Sequence, residues 1–540
     1  MIKVEVARST EGASQPKKAE GRTEFAEKRR KGGAVRRSPV TVALAGVGLL
    51  VVGAALAYLS SRGYTEQRVV ANAGSCKMEM TVVQLAGLPE NSQSGSVVLF
   101  HGLAANKVIM TYLARAFALQ GLRVYVPDLP GHGRTAGPFS TGEAEACAQS
   151  FVRGLMARGF IRPDRTILAG HSMGGAIALR VAAKVRVAGV VAISPAPMKT
   201  GHGVSPEVLL YTNPPPVPPN TLIMVAQFEP EGLRANAADN AASSTDGTTK
   251  FVSFSNNTHV TELFSARVAR LGQEWAAQVL HLPPAEKLPR RGELLGGLMG
   301  LAGILLIAGP FLRESVGEKP VEETAENKPV TTWRAVLEIA VASLTIVGLL
   351  HYGVPLRMLH LFEGDYLASF LLLAGLLLIS LHGKAAMRMF AAKWTLVAGA
   401  GFAALVLHLL ITGWLQLTIM GSWLTLARWE RFPLFFLAGF AFLYALEVLL
   451  GRVAEGGEGK RLLLSLGLLC LAWLALTFGV IELHSGEILL VLLAPFFLVL
   501  FTLLRLGAQL VRKQSGSALA AAVFGAILLA GFCLVVFPVS

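Results

Sequence analysis

The rhythm of hydrophobic and polar positions changes several times along this chain. Residues 1–40 are mostly polar and rich in Lys, Arg, Glu and Gly, and a segment with so little apolar surface to bury is expected to remain a disordered tail. Residues 41–60 are apolar and uncharged throughout, about the length an α-helix needs to cross a bilayer. From 63 to 288 short β-branched runs alternate with amphipathic ones. The runs predict buried strands at 97–100, 122–126, 166–169, 189–193, 222–225 and 250–254, with helices at 107–120, 143–158, 173–184 and 261–280. Such alternation implies an α/β fold, a mostly parallel sheet with helices on both faces; residues 68–85 could add one or two antiparallel edge strands. Beyond 293 apolar runs of membrane-crossing length recur, near 294–312, 333–353, 366–381, 394–414, 432–450, 462–480, 488–504 and 518–539. Residues 294–540 therefore read as an all-α transmembrane helical domain of about eight helices.

Composition agrees with a chain that lives partly in lipid. Of its 540 residues 53% are hydrophobic, and the net charge of +14 comes from the tail and from short loops between apolar runs, which is how membrane proteins distribute it. No basic patch with interleaved aromatics appears, so no nucleic-acid partner is expected; the partner implied is the lipid bilayer. The cluster Lys28, Arg29, Arg30, Lys31 ahead of residue 41 places the tail in the cytoplasm and the following segment outside. Ala55-Leu56-Ala57 resembles a signal-peptidase site, but the long apolar run and long tail favour an uncleaved anchor. The expected location is a bacterial plasma membrane. Alternating the later spans from that start leaves Arg313, Lys319, Lys328, Lys384, Arg388, Lys393, Arg452, Lys460, Arg461, Arg512 and Lys513 inside, with Arg357, Arg428 and Arg431 as departures. Of four cysteines, only Cys76 and Cys147 lie where an extracytoplasmic disulfide could form.

Candidate chemistry sits in the α/β segment. Gly170-His171-Ser172-Met173-Gly174 follows the predicted strand 166–169 and precedes a helix, the strand-turn-helix setting that lifts a serine hydroxyl clear of a sheet. A serine needs a base, and His259, just past the last strand, lies where an open parallel sheet gathers its site. A carboxylate should orient that imidazole: Glu229 follows the strand 222–225 most closely, with Glu231, Asp239 and Asp246 as competitors. Backbone N–H groups of Met173 and Leu103 could form an oxyanion hole. His101 and the pair Asp128 and His132 read as loop structure.

These residues resemble the α/β-hydrolase superfamily, in its esterase and lipase-like members: His101-Gly102 after one strand, Asp128-Leu129-Pro130-Gly131-His132-Gly133 after the next, the elbow at 170–174, and His259 near the domain end. The resemblance implies a triad of Ser172, Glu229 and His259 acting through an acyl-enzyme, needing no cofactor or metal. Glu229 stands where Asp is more usual, and the resemblance stops near 288. Residues 194–220, where relatives insert a helical cap, contain Asn213-Pro214-Pro215-Pro216-Val217-Pro218-Pro219, which cannot be helical. A small lid and an open site suit small-molecule or lipid esters. The helical domain reads as an anchor or docking platform, with a conduit for a hydrophobic substrate as the alternative. Ionisable groups within its spans are few: Glu338 and Glu447 near cytoplasmic ends, and His408 well inside. The rival from another class is a transporter or membrane scaffold whose hydrolase-like domain binds a ligand without turnover.

Overall fold

The computed structural model describes residues 38–73, 76–88, 94–202, 204–206, 209–317, 329–353, 357–453 and 457–540. Residues 1–37 of the tail, Lys319 and Lys328 lie outside the described residues. Helix α1, Pro39–Ser61, opens on Ser38, whose hydroxyl accepts from the Thr41 N–H at 3.3 Å, and on a proline that needs no hydrogen-bond acceptor there.

An eight-stranded sheet follows, in the order β1-β2-β4-β3-β5-β6-β7-β8. Its strands are β1 Tyr64–Ala73, β2 Cys76–Leu85, β3 Ser96–Phe100, β4 Arg123–Pro127, β5 Thr166–His171, β6 Gly189–Ile193, β7 Thr221–Ala226 and β8 Lys250–Phe254. Strands β1 and β2 form an antiparallel edge, and β3 to β8 pair in parallel. Between strands lie α2 Thr111–Ala118, α3 Thr141–Ala157, α4 Met173–Ala182 and α5 Glu231–Ala242, and α6 Ala266–Leu280 follows β8. Side chains along β3 alternate between two cores: Val97 and Leu99 pack with Phe117 of α2 and Trp275 of α6, whereas Val98 and Phe100 pack with Phe151 of α3 and Ile177 of α4. This period-two division needs apolar residues at every position, hence the unbroken runs in the sequence. Because β4 and β5 flank β3 on opposite sides, a crevice opens at the carboxyl ends of β3 and β5. Cys76 at the start of β2 is disulfide-bonded to Cys147 of α3.

The remainder is helical: α7 Gly292–Val316, α8 Thr332–Tyr352, α9 Gly364–Leu381, α10 Trp394–Thr418, α11 Phe432–Arg452, α12 Glu458–Glu482, α13 Ala494–Ser515 and α14 Ala518–Val536. Counting α1, nine helices among the described residues are long and apolar enough to cross a membrane. The run expected at 488–504 divides into a short helix, Ile488–Leu492, and α13, because Pro495 starts a new helix more readily than it continues one. Helices α1 and α7 flank the α/β domain in the chain and lie against each other; a Cβ on Gly53 would stand 2.6 Å from the Gly296 carbonyl, so only small residues permit this approach.

The end of the helical bundle nearest the sheet touches it at several points. Asn106 bonds to Gly421, Arg428 to Gly131, and Phe139 to Val539. The Phe139 ring also meets Phe362 edge-on at 5.0 Å. Other inter-helix contacts hold a second set of connections, where Val330 bridges Val453 and His382 bonds to Glu338 and Arg452.

Candidate active site

Ser172 directly follows β5 with φ 55° and ψ −120° at the N-cap of α4, a strained conformation for a side-chain-bearing residue. Tight packing enforces it. A Cβ on Gly170 would collide with the Gly174 backbone, and one on Gly174 with the carbonyls of Phe100 and His101. The Ser172 N–H donates to the Ile193 carbonyl at 2.9 Å, and its own carbonyl accepts from Ala176 and Ala196. The elbow is thus tied to β6 and α4 on either side.

His259 lies in the loop after β8. Its Nδ1 is 2.7 Å from Glu229 Oε1, and the Glu229 side chain is fully buried while the imidazole is 21% exposed. Two backbone bonds align these loops: the Gln227 N–H donates to the Phe254 carbonyl, and the Phe228 N–H to that of Asn257. The competing acids are engaged elsewhere. Glu231 begins α5, Asp239 faces His202 at 3.4 Å, and Asp246 accepts from Ser244 and Thr248. A carboxylate at Nδ1 leaves the proton there and turns a basic Nε2 outward. No hydrogen bond joins Nε2 to Ser172 in this state, a bond that often tightens only in the substrate complex.

Behind this pair stands a cluster that sequence reasoning did not single out. His171 Nε2 is 2.9 Å from both the His259 carbonyl and Glu262 Oε1, and Ser194 Oγ donates to Glu262 Oε2 at 2.8 Å. Burial pushes the Glu262 carboxyl up to about 8. Burial and the neighbouring His259 push the His171 imidazole down to about 3. Both are therefore neutral near pH 7, and their contact is not an ion pair. For His259, burial alone would lower the pKa; the hydrogen bond and charge of Glu229 lead the causes that outweigh it, so the net direction is upward. Candidate metal-ligand atoms of His171, His259 and Glu262 lie within 4.8 Å of one another, but an ion held there would compete for the imidazole that Glu229 orients. The sequence signal was slight: His171 fills the variable position of the elbow, and Glu262 is one more acid in a polar turn.

The β3 loop meets the nucleophile directly. A Cβ on Gly102 would stand 3.1 Å from the Ser172 Cβ, so Leu103 follows at a point beside the elbow, across from Met173 at the start of α4. Among the described residues neither the Leu103 nor the Met173 N–H is taken up by a backbone bond, and both remain available to an oxyanion. His101 braces this loop: the Leu129 N–H donates to its Nε2 at 2.9 Å, and its Nδ1 therefore carries the proton bonded to the Gly102 carbonyl at 2.8 Å. Burial lowers its pKa, in keeping with an imidazole that already uses one nitrogen as acceptor. Asp128 accepts from the N–H groups of Lys107 and Arg134 and pairs with the Lys107 ammonium.

Among the described residues of 194–220 no α-helix forms a cap, and Ser172 is only half-buried. The expectation of an open site needs one amendment: Leu103 packs on the helical region as well as on the α/β core, so that side of the crevice is walled. A cavity of about 200 Å³ lies apart from Ser172, at the junction, lined by Arg68, Lys107, Asp128, Arg134, Gln416 and Trp423 among others.

No curated protein matches the chain. Solved structures similar to it include an esterase from Pyrobaculum calidifontis, 17% identical with TM-score 0.35, the match covering 44% of this chain and 92% of that one. A thermophilic esterase from Thermogutta terrifontis is 19% identical with TM-score 0.30, covering 39% and 99% respectively. The alpha/beta hydrolase GrgF from Penicillium sp. sh18 is 12% identical with TM-score 0.33, covering 40% and 99%. The model of the family described as "Alpha/beta hydrolase family" matches residues 97–452, beyond the last strand and well beyond the 288 at which the motifs stop. With more than half its length in that match, the chain belongs to the alpha/beta hydrolase family.

Proposed function

We propose that this protein is a membrane-anchored serine hydrolase that cleaves or transfers carboxylic esters, with Ser172 as nucleophile, His259 as base, Glu229 as its orienting acid, and the N–H groups of Met173 and Leu103 as oxyanion hole. The observation that carries this reading is the 2.7 Å Glu229–His259 bond at the sheet edge that also bears Ser172 at positive φ. In the first half-reaction His259 Nε2 takes the Ser172 proton as Oγ attacks the ester carbonyl, and it then gives that proton to the departing alcohol. In the second, water attacks the acyl-enzyme, loses its proton to Nε2, and releases the acid as Ser172 is reprotonated. Glu229 stabilises the imidazolium formed in each half; the amides at 103 and 173 stabilise the developing oxyanion.

The α/β domain is read as extracytoplasmic. The segments that touch it, around 362, 421, 428 and 539, are those that alternation from a cytoplasmic tail places outside, and the Cys76–Cys147 disulfide suits an oxidising compartment. The substrate is read as a small-molecule or lipid ester able to enter an uncapped crevice near a bilayer surface.

The test is labelling of the full-length protein in membranes with a fluorophosphonate probe, together with hydrolysis of short p-nitrophenyl esters. Native protein should label and turn over, and Ser172→Ala and His259→Ala should do neither. Folded native protein that neither labels nor hydrolyses any ester would overturn the enzyme reading in favour of a ligand-binding membrane protein.

A further inference from the structure

Arg428 breaks the charge pattern expected of an outside loop, and the structure shows what occupies it. It is 4% exposed. One end of its guanidinium donates to the Gly131 carbonyl at 2.9 Å, and the other to the carbonyls of Leu534 and Phe537 at the close of α14. The Gly131 carbonyl also accepts from the Val539 N–H at 3.0 Å, and the Phe139 N–H donates to the Val539 carbonyl at 2.6 Å. A second tie lies at Asn106: its amide nitrogen donates to the Gly421 carbonyl at 2.7 Å, and its oxygen accepts from the Gly421 N–H at 3.0 Å and caps Val108 at 3.2 Å.

These ties hold two loops that are themselves one unit. The Leu129–His101 bond and the Lys107–Asp128 pair join the loop after β4 to the loop after β3. Leu103 stands between His101 and Asn106, so both ends of the short segment that presents its N–H are fixed from outside the sheet. On the nucleophile side Gly102 has no slack. The other half of the machinery is held differently, with His259 and Glu229 fixed by each other and by the loops after β7 and β8.

We propose that Asn106 and Arg428 are positioning residues: the helical domain clasps the β3 and β4 loops and thereby sets the Leu103 N–H of the oxyanion hole. Its placement rests on the serine-hydrolase reading above; the clasp itself does not. The role assigned to the helical domain is to complete the catalytic site.

The test compares full-length native protein in detergent micelles with Asn106→Ala, Gly421→Ala and Arg428→Lys. A Cβ on Gly421 would come within 2.5 Å of the Asn106 carboxamide and push it away. Arg428→Lys keeps the charge but lacks the planar fork that reaches the Gly131 carbonyl on one side and those of Leu534 and Phe537 on the other. Loss of a whole oxyanion donor lowers kcat by roughly 100- to 1,000-fold, so displacement of one should lower it about 10- to 100-fold, with KM nearly unchanged. Affinity for a trifluoromethyl ketone, whose adduct places an oxyanion in the hole, should fall by a similar factor. The acid limb of the pH profile should not move, because His259 and Glu229 are untouched. Amide hydrogen exchange should rise in residues 101–107 and 128–134. Native kcat and native inhibitor affinity in all three variants, or a kcat loss accompanied by a shifted pH profile, would overturn the proposal. If the native protein shows no esterase activity, the function reading fails, and exchange still decides the clasp: protection of both loops equal to native in the three variants would overturn it.

Discussion

Glu262 offers a test of the electrostatics behind the site. Its carboxyl is buried against Ser194 and His171, with His259 and Glu229 the other titratable groups whose charges reach it, and its pKa lies near 8 rather than the ordinary 4.5. Between those values the folded protein holds a proton that the unfolded chain has released, so stability falls as pH rises from about 4.5 and levels off above about 8. At ~1.4 kcal/mol per pH unit the total reaches up to about 5 kcal/mol. Glu262→Gln keeps the shape and hydrogen bonds of the neutral acid without the ability to ionise. Native protein and variant should therefore unfold at similar temperatures near pH 5, and the variant should become progressively more stable towards pH 9, with most of the divergence between pH 5 and 8. Thermal unfolding of the full-length protein in detergent, followed at each pH by scanning calorimetry, measures this difference directly. Parallel curves for the two proteins across the whole range would refute the reasoning, since they would mean that Glu262 titrates alike in folded and unfolded chains.

Glu229→Gln should leave Ser172 in place but remove the charge that orients and stabilises the imidazolium, lowering kcat by about 10,000-fold in an ester assay. Because the net shift of His259 is upward and only its neutral form accepts the Ser172 proton, kcat/KM should rise with pH through a midpoint above 6.5; a midpoint at or below that value counts against the pairing. Opening the Cys76–Cys147 disulfide, which closes a loop with a sequence separation of 71, should cost about 4 kcal/mol of stability from chain entropy, seen as a lower unfolding temperature in Cys76→Ser/Cys147→Ser than in the native protein.

Strands β3 to β7 were legible because each is buried on both faces and so writes an almost uninterrupted apolar run; β8, expected to be buried, is instead an edge strand with Lys250, Phe251 and Ser253 exposed, since it has a neighbour on one side only. The antiparallel edge was blurrier: β1 carries Glu66, Gln67 and Arg68, which only an exposed edge tolerates, and its start fell short of Tyr64. The elbow, His259 and Glu229 could be placed because each directly follows a strand, and the end of a strand is where a parallel sheet delivers side chains to a common edge. Glu262 and Ser194 were hidden for the opposite reason: their meaning comes from a neutral, buried contact between segments far apart in sequence, and neither residue type nor spacing marks it. Arg428 was noticed only as an anomaly of charge, since its partners are backbone carbonyl groups that leave no trace in the sequence.

The contact between Arg428 and Gly131 spans 297 residues of chain, which gives it a meaning in time. At ~5–20 residues added per second, roughly 15–60 s of synthesis separates the two partners. The α/β domain can collapse around its own sheet during that interval, because its cores draw on residues already made. The segment from Leu534 to Val539, which holds Arg428 and the β4 loop, is made later still, with the end of α14. A nascent domain would thus be folded before it is finished, and a chain whose later helices fail to pack would carry an intact Glu229–His259 pair beside an unsupported loop after β3.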